Sequence, residues 1–173
     1  WVGTIRTVKQ PELFLKLAKK LPNHKFTMIG GIGESEKLYK YIEREAKTIP
    51  NLEFKGFIPH HEIFYYYQNA LFLVNTSKVE GFPNIFLEAW MHSIPVISLN
   101  VDPDGIIDEY SLGFHSENFD ELIKNIDELC KNDKLRRRMG EKGRAYVEKE
   151  HDIRKIVDKF ECILNMMNKK IRN

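Results

Sequence analysis

The sequence contains few cysteines, no long apolar run and almost no net charge, and each deficit excludes a class of protein. Its two cysteines, Cys130 and Cys162, are too few for a disulfide framework. Both fall in amphipathic helical patterns, so we predict buried free thiols in a protein of the reducing cytoplasm. No apolar run reaches the roughly 18 residues that a membrane-spanning helix needs, and no signal peptide is visible.

The charge balance does not favour a polyanionic partner. The 27 basic and 25 acidic residues leave a formal net charge of +2, so we expect no nucleic acid as a partner. Hydrophobic residues make up 42% and charged residues 30% of the chain, which is typical of a globular domain. We predict a single domain over residues 1–173. Because the chain begins at Trp1 inside a predicted strand, we also expect it to be a segment of a longer protein.

Short apolar runs alternate with longer amphipathic runs along most of the chain. Strands are predicted over residues 1–5, 25–29, 52–55, 70–75, 95–99 and 113–114. Helices are predicted over residues 11–21, 34–49, 62–69, 84–92, 119–130, 134–150 and 152–168. Alternating strands and helices indicate right-handed βαβ units. The predicted fold is therefore α/β, a doubly wound parallel sheet of Rossmann type with a helical C-terminal tail at about 134–168.

Ligands of such sheets bind outside the carboxyl ends of the strands, and three loops there have unusual compositions. In the first loop, Arg6 and Lys9 precede a helix that Pro11 is expected to open. Two cations beside a helix N-terminus suit a phosphate, because side chains and backbone N–H groups then point at one anion. An ordinary solvated basic loop has the same composition, and it is the better explanation of this feature alone.

The second loop is rich in glycine. Gly30, Gly31 and Gly33 allow a sharp turn and a close approach of the backbone to a ligand. The loop lacks the full dinucleotide fingerprint, so a plain strand-to-helix turn is an equal alternative. The stretch Gly56-Phe57-Ile58-Pro59 closes the next strand and is a candidate lining for a base pocket, although by itself it says little.

The third loop, within residues 75–90, carries the strongest signal. Glu80 lies in it beside Gly81, whereas Asn84 and Glu88 are four residues apart and share one helix face. N–H groups at the helix start suit a phosphate, and the two carboxylates suit hydroxyl groups. A sugar nucleotide carries both a diphosphate and hydroxyl groups. The alternative is that Glu88 only complements the helix dipole, but an acid among apolar residues needs a partner.

Three other polar features are better explained without a ligand. Asp102 and Asp104 form an Asp-x-Asp pair, but Pro-Asp-Gly is a strong turn signal, and we predict no metal site. His60 and His61 lack the spacing of metal ligands and are predicted to lie at a helix N-terminus. The basic helix around residues 136–138 predicts a solvated face, with peripheral binding to an anionic membrane as the alternative.

The run Glu-Gly-Phe-Pro-Asn-Ile-Phe-Leu-Glu-Ala at residues 80–89 resembles the Glu-x7-Glu signature of family 4 retaining glycosyltransferases, which have the GT-B fold. The resemblance extends over nearly the whole chain and is to the C-terminal, donor-binding half of that fold. It includes the Val-Gly opening with the later Lys9 and the Ile-Gly-Gly-x-Gly end of the second strand. It also includes Phe-x-Gly-Phe at residues 54–57 and Ile-Pro-Val-Ile-Ser at residues 94–98.

The resemblance implies transfer of a sugar from a nucleotide sugar to an acceptor with retention of configuration, in polysaccharide or glycolipid biosynthesis. It implies that Lys9 contacts the donor diphosphate, that Glu80 holds hydroxyls of the donor sugar and that Glu88 holds the ribose hydroxyls. Backbone N–H groups around Gly81, Phe82, Asn84 and Ile85 are expected to bind the distal phosphate, and Phe57 and Ile58 to edge the base. Neither a metal nor a cofactor is implied, because protein cations and helix dipoles neutralise the leaving diphosphate.

Two positions depart from the family pattern. The family usually has arginine directly after the opening glycine, where this sequence has Thr4, and Arg6 is the expected substitute. The family often has glycine where Ser93 stands.

An acceptor-binding N-terminal half is absent from these residues, so we expect the N-terminal domain of the same full-length chain as a partner. The isolated segment is then expected to be inactive. Two alternatives stay open, a stand-alone nucleotide-binding module and another GT-B enzyme such as a sugar-nucleotide epimerase.

Overall fold

The computed structural model describes the backbone of residues 1–171, and their side chains except at positions 156, 159, 165 and 168–171. The strands are β1 (Phe26–Ile29), β2 (Leu52–Gly56), β3 (Leu73–Asn75), β4 (Val96–Ser98) and β5 (Gly113–His115). The helices are α1 (Pro11–Lys20), α2 (Glu36–Lys47), α3 (His60–Gln68), α4 (Asn84–Met91), α5 (Ile106–Tyr110), α6 (Phe119–Lys131), α7 (Asp133–Glu150) and α8 (Ile153–Ile171). This alternation confirms the predicted α/β class.

All strand pairs run parallel, and they form two hydrogen-bonded sets. β1 pairs with β2, and β3, β4 and β5 pair in that order. Residues 1–5, predicted as the first strand, join the end of β1 through isolated bridges at Val2 and Ile5. On its other side, this segment contacts the end of β3 through side chains, because the Trp1 indole N–H donates to Thr76 Oγ1 at 3.1 Å. The first segment therefore connects the two sets without forming a regular strand.

Local sequence explains where several helices begin. α1 begins at Pro11, whose missing N–H costs nothing in a first helical turn. Three later helices follow a residue whose side chain accepts a backbone N–H, namely Ser35 from Leu38, Asn118 from Glu121 and Asn132 from Leu135. Such caps satisfy N–H groups that the helix itself leaves unpaired.

The core consists of two clusters of buried apolar side chains. The first includes Phe14 of α1, Ile42 of α2 and Leu122 of α6. The second surrounds α4 and includes Phe86 and Trp90. Burial of apolar surface in both clusters provides the main stabilisation of the packed helices.

α7 lies very close to α4 because it carries two glycines at the contact. An ideal Cβ on Gly140 would lie 1.9 Å from the carbonyl oxygen of Ser93, and one on Gly143 would lie 2.5 Å from Cδ1 of Trp90. Ser93 has a φ of 56°, a left-handed conformation that favours glycine. This gives a physical reason for the glycine that the resembled family often has there. α4, which carries Glu88, is thereby held in place by α7.

Two sequence predictions are wrong in detail. Cys162 is an exposed free thiol rather than a buried one, because it lies on α8, whose described side chains are all exposed. Cys130 is a free thiol that is half-buried. The basic helix α7 is not solvated at Arg136, which is 15% exposed, pairs with Asp133 and donates to the Leu129 carbonyl oxygen at 2.7 Å.

Helix α5 was not predicted, and its five residues follow the turn at Pro103–Gly105. None of the described helices is both long and apolar enough to cross a membrane.

Candidate functional site

The first loop brings Lys9 to Glu80. A tight turn at Thr7–Lys9 leads into α1. The Lys9 ammonium forms an ion pair with a carboxylate oxygen of Glu80, and the two side chains are only 19% and 16% exposed. Both residues were assigned to the candidate site from the sequence, and the structure places them in contact. A ligand that binds the Lys9 ammonium or the Glu80 carboxylate must therefore displace the other member of this ion pair.

A buried polar network supports Glu80 at the carboxyl ends of β3 and β4. Asn75, Ser77 and Ser98 are all buried. The Asn75 amide donates to Ser98 Oγ at 3.3 Å, and its Oδ1 accepts the Ser77 N–H at 3.2 Å. Ser77 Oγ lies 2.7 Å from Glu80 Oε1 and 2.8 Å from Asn75 Oδ1, so its one proton serves either acceptor. These strand ends therefore orient the Glu80 carboxylate.

The N-terminus of α4 provides backbone donors beside this loop. α4 begins at Asn84 without a side-chain cap, and the N–H groups of Asn84 and Ile85 have no acceptor within the helix. Gly81 and Phe82 are exposed in the preceding loop. An ideal Cβ on Gly81 would meet nothing within 4 Å, so open space adjoins this backbone. The arrangement suits an anionic group at the helix N-terminus.

Glu88 has two side-chain partners on α3. The Tyr67 hydroxyl donates to Glu88 Oε2 at 3.1 Å, and His60 Nε2 lies 3.0 Å from Oε1. Burial, together with the nearby Glu88 carboxylate, raises the pKa of Tyr67 far above its usual value, so the hydroxyl keeps its proton. The prediction that Glu88 needs a partner is confirmed. Sequence reasoning did not identify Tyr67, although the acid in an apolar helix was a signal that such a donor exists.

Packing requires two of the three glycines of the second loop. Ideal Cβ atoms on Gly30 and Gly33 would lie 2.3 and 2.4 Å from backbone oxygens of the first segment. This close approach explains both glycines without a ligand. At Gly31 an ideal Cβ would lie 3.2 Å from Phe57 Cβ, and the Phe57 ring is 74% exposed. The structure thus places Gly31 beside Phe57, with Ile58 half-buried next in the chain.

Arg6 lies at a different part of the loop from Lys9. It is exposed and passes beside Gly33, where its Cγ would lie 2.7 Å from an ideal Cβ. The adjacent Thr7 donates to Glu34 through its hydroxyl and its N–H, and these hydrogen bonds lower the pKa of Glu34. Arg6 therefore has an acidic neighbour of its own. Its substitution for an arginine at Thr4 stays a prediction.

The Asp102 loop forms the turn that its sequence predicted. Asp104 has a φ of 55° within Pro103–Gly105. Both Asp102 oxygens accept N–H groups at the start of α5, at 2.8 and 3.3 Å. Among the described residues, Asp102, Asp108 and His115 form the one group with the chemistry and spacing of metal ligands. Since Asp104 is not part of this group, the Asp-x-Asp pair does not come together as ligands, and the expected absence of a metal stays a prediction.

An apolar cavity of about 380 Å³ lies elsewhere, at the amino ends of β1 and β3. Its lining includes Trp1, Phe26, Leu71 and also Tyr67, the partner of Glu88. Ligands of parallel α/β sheets bind at the opposite, carboxyl ends of the strands. Lys9, Glu80 and Asn84 do not line the cavity, so it borders the candidate site only at Tyr67.

Comparison with known proteins gives a consistent result. Residues 1–146 match the family described as glycosyl transferases group 1. The chain is 29% identical over 172 residues to an uncharacterized glycosyltransferase of Haemophilus influenzae, covering 94% of this chain and 47% of that protein. The chain therefore spans about half the length of this curated relative.

Solved structures share the fold. The C-terminal domain of a glycosyl transferase group 1 family protein (LpcC) from Francisella tularensis is 26% identical, with a TM-score of 0.72, covering 88% of this chain and 85% of that one. The TarM protein of S. aureus, solved with fondaparinux, α-GlcNAc-glycerol and UDP, is 24% identical, with a TM-score of 0.78, over 95% of this chain and 35% of that one. At this identity the TarM likeness shows the fold alone.

Proposed function

Since the chain belongs to the glycosyl transferases group 1 family, we propose that it is the donor-binding half of an enzyme that transfers a sugar from a nucleotide sugar to an acceptor with retention of configuration. The observation that carries this proposal is the pair of carboxylates, Glu80 and Glu88, on either side of the α4 N-terminus, with Lys9 held against Glu80. Cations and free N–H groups suit a diphosphate, and fixed carboxylates suit sugar hydroxyls. A nucleotide sugar needs donors for its diphosphate and acceptors for its hydroxyl groups.

Each group has a proposed role in binding the donor. The Lys9 ammonium, which lies beside the loop that leads into α4, contacts the diphosphate and leaves Glu80 when it does so. Glu80 then accepts hydrogen bonds from hydroxyls of the donor sugar. The N–H groups of Asn84 and Ile85 bind the distal phosphate. Glu88 accepts from the ribose hydroxyls, and the backbone at Phe57 edges the base.

The chemistry that these residues supply is stabilisation of the leaving group. Cleavage of the bond between sugar and phosphate places negative charge on the departing nucleoside diphosphate. Once Lys9 has moved from Glu80 to the bound diphosphate, this lysine and the helix N-terminus stabilise the charge as it develops, with little further reorganisation. In this proposal the chain holds the donor without a metal ion and without a cofactor.

A nucleoside diphosphate is expected to bind the 173-residue chain with micromolar or weaker affinity and without a divalent metal. Titration calorimetry and thermal unfolding with UDP, GDP and ADP, each with and without EDTA, test this, because a ligand that binds only the folded state raises its stability. UDP is the first probe because the TarM structure contains it. No heat and no shift at millimolar nucleotide would refute the donor-site proposal, whereas binding that EDTA abolishes would refute its metal-free part.

We further propose that transfer needs a second domain of the full-length protein, and that membrane contact, where it occurs, is peripheral. Holding donor and acceptor in a reactive geometry supplies roughly 7–11 kcal/mol of a typical barrier. The described residues offer one cluster for the donor, whereas an acceptor needs a facing surface. The chain alone is therefore expected to transfer no sugar. A comparison with the full-length protein, using one competent donor and acceptor, tests this, and transfer by the chain at a few per cent of the full-length rate would contradict it.

A further inference from the structure

Tyr67 is the buried partner of Glu88. Its side chain is 5% exposed and belongs to the second core cluster, with Phe86 and Trp90 of α4. Its ring centroid lies 5.5 Å from that of His92 at the end of α4. These contacts, together with its burial, hold the ring in place although it also borders the apolar cavity, and its hydroxyl group lies 3.1 Å from Glu88 Oε2.

The other partner of Glu88 is held in a different way. His60 contacts Oε1 at 3.0 Å, but its side chain is 80% exposed, whereas that of Glu88 is 24% exposed. A side chain on the surface can leave its partner at little cost in packing. Of the two Glu88 oxygens, Oε2 is therefore bound to the core, and Oε1 is the one that a ligand can reach after His60 moves away.

We propose that Tyr67 is the positioning residue for Glu88, and that it fixes the carboxylate so that Oε1 accepts hydrogen bonds from the ribose hydroxyls of a nucleoside diphosphate. This inference rests on the ribose role proposed above for Glu88. It adds the residue that makes the site prefer ribose over deoxyribose. Tyr67 touches no ligand itself. It acts by removing the rotational freedom that a glutamate side chain otherwise loses when a ligand binds.

The chemistry of a tyrosine suits this task. A neutral hydroxyl donates one hydrogen bond to a carboxylate and leaves its negative charge in place for other donors. A lysine or arginine in the same position would compete with the ribose hydroxyls for the charge. Because burial and the Glu88 carboxylate raise the pKa of Tyr67, the hydroxyl keeps its proton at neutral pH.

The test compares the full-length protein with its Tyr67→Phe and Tyr65→Phe variants. Both changes remove one hydroxyl from α3, but Tyr65 is 67% exposed and serves as the matched control. Affinities are measured for UDP, GDP and ADP and for their 2′-deoxy counterparts. The readout is the ratio of the ribose to the deoxyribose affinity for the best-bound base. A lower folded fraction scales both affinities equally, so this ratio is insensitive to a loss of stability.

Tyr67→Phe is expected to reduce this ratio by about three- to tenfold, the usual cost of ordering one flexible side chain when a ligand binds, while Tyr65→Phe keeps the wild-type ratio. An unchanged ratio in Tyr67→Phe, whether or not both affinities fall, would overturn the positioning role and leave the ribose role of Glu88 intact. A wild-type protein that binds both sugars equally would instead overturn the ribose role, and the inference with it.

Discussion

Replacing Glu88 with alanine is expected to weaken nucleoside diphosphate binding by roughly 10- to 100-fold, the effect of losing charge-assisted hydrogen bonds. The variant removes the acceptor for the ribose hydroxyls and leaves the buried Tyr67 hydroxyl without its partner. Glu80→Ala is the matched change on the other carboxylate. It frees the Lys9 ammonium from its ion pair, so binding of the diphosphate alone should persist.

The two variants are separated by comparing a nucleoside diphosphate with its sugar conjugate. Glu88→Ala should weaken both ligands, because both carry the ribose. Glu80→Ala should mainly reduce the extra affinity that the sugar provides. Isothermal titration of both ligands with both variants measures these differences. Equal losses for the two ligands in both variants would contradict the separate roles of the carboxylates.

Replacing Gly140 with alanine is expected to destabilise the protein by about 2–3 kcal/mol, the usual cost of overpacking a well-packed contact. Helix propensity acts in the opposite direction, since alanine is favoured over glycine by about 1 kcal/mol in a helix interior. The clash should dominate, because the new Cβ would lie 1.9 Å from the backbone oxygen of Ser93, where no side chain can rotate away. Relief requires α7 to move off α4.

Thermal unfolding measures this outcome as a decrease in Tm of roughly 5–10 °C for a chain of this size. Lys142→Ala is the control on the same helix, because Lys142 is exposed and surface changes usually stay within about 0.5 kcal/mol. A higher Tm for Gly140→Ala would mean that helix propensity prevails and that α7 does not pack as closely as described. Nucleotide affinity should fall with the same change, since α4 carries Glu88.

Periodicity predicted most of the elements well because their buried faces are marked by apolar residues. α2 and α6 were placed within a few residues of their observed bounds. α5 was missed because its five residues are too short for a helical period and follow turn residues. The first segment was predicted as a strand from its apolar residues, but the formation of a ladder depends on neighbours that lie far away in sequence.

The candidate site was predicted by residue type but not by partner. Glu80, Glu88 and Lys9 were named from composition, loop position and family resemblance. The ion pair between Lys9 and Glu80 joins residues 71 positions apart, and no local pattern encodes such a contact. Tyr67 is the last of three consecutive tyrosines, at residues 65–67. Only packing distinguishes it, as the buried one, from the other two. The roles of these residues toward a ligand stay predictions.

The close packing of the first segment has an optical consequence. Both tryptophans of the chain are buried, with Trp1 7% and Trp90 0% exposed. The Trp1 indole N–H donates to Thr76 Oγ1, and the Thr76 hydroxyl donates to the backbone oxygen of Lys9 at 2.8 Å. The indole is thus two hydrogen bonds from the residue proposed to contact the diphosphate. In a Trp90→Phe variant, tryptophan fluorescence would come from Trp1 alone and would report on changes in the backbone at Lys9 without any attached dye.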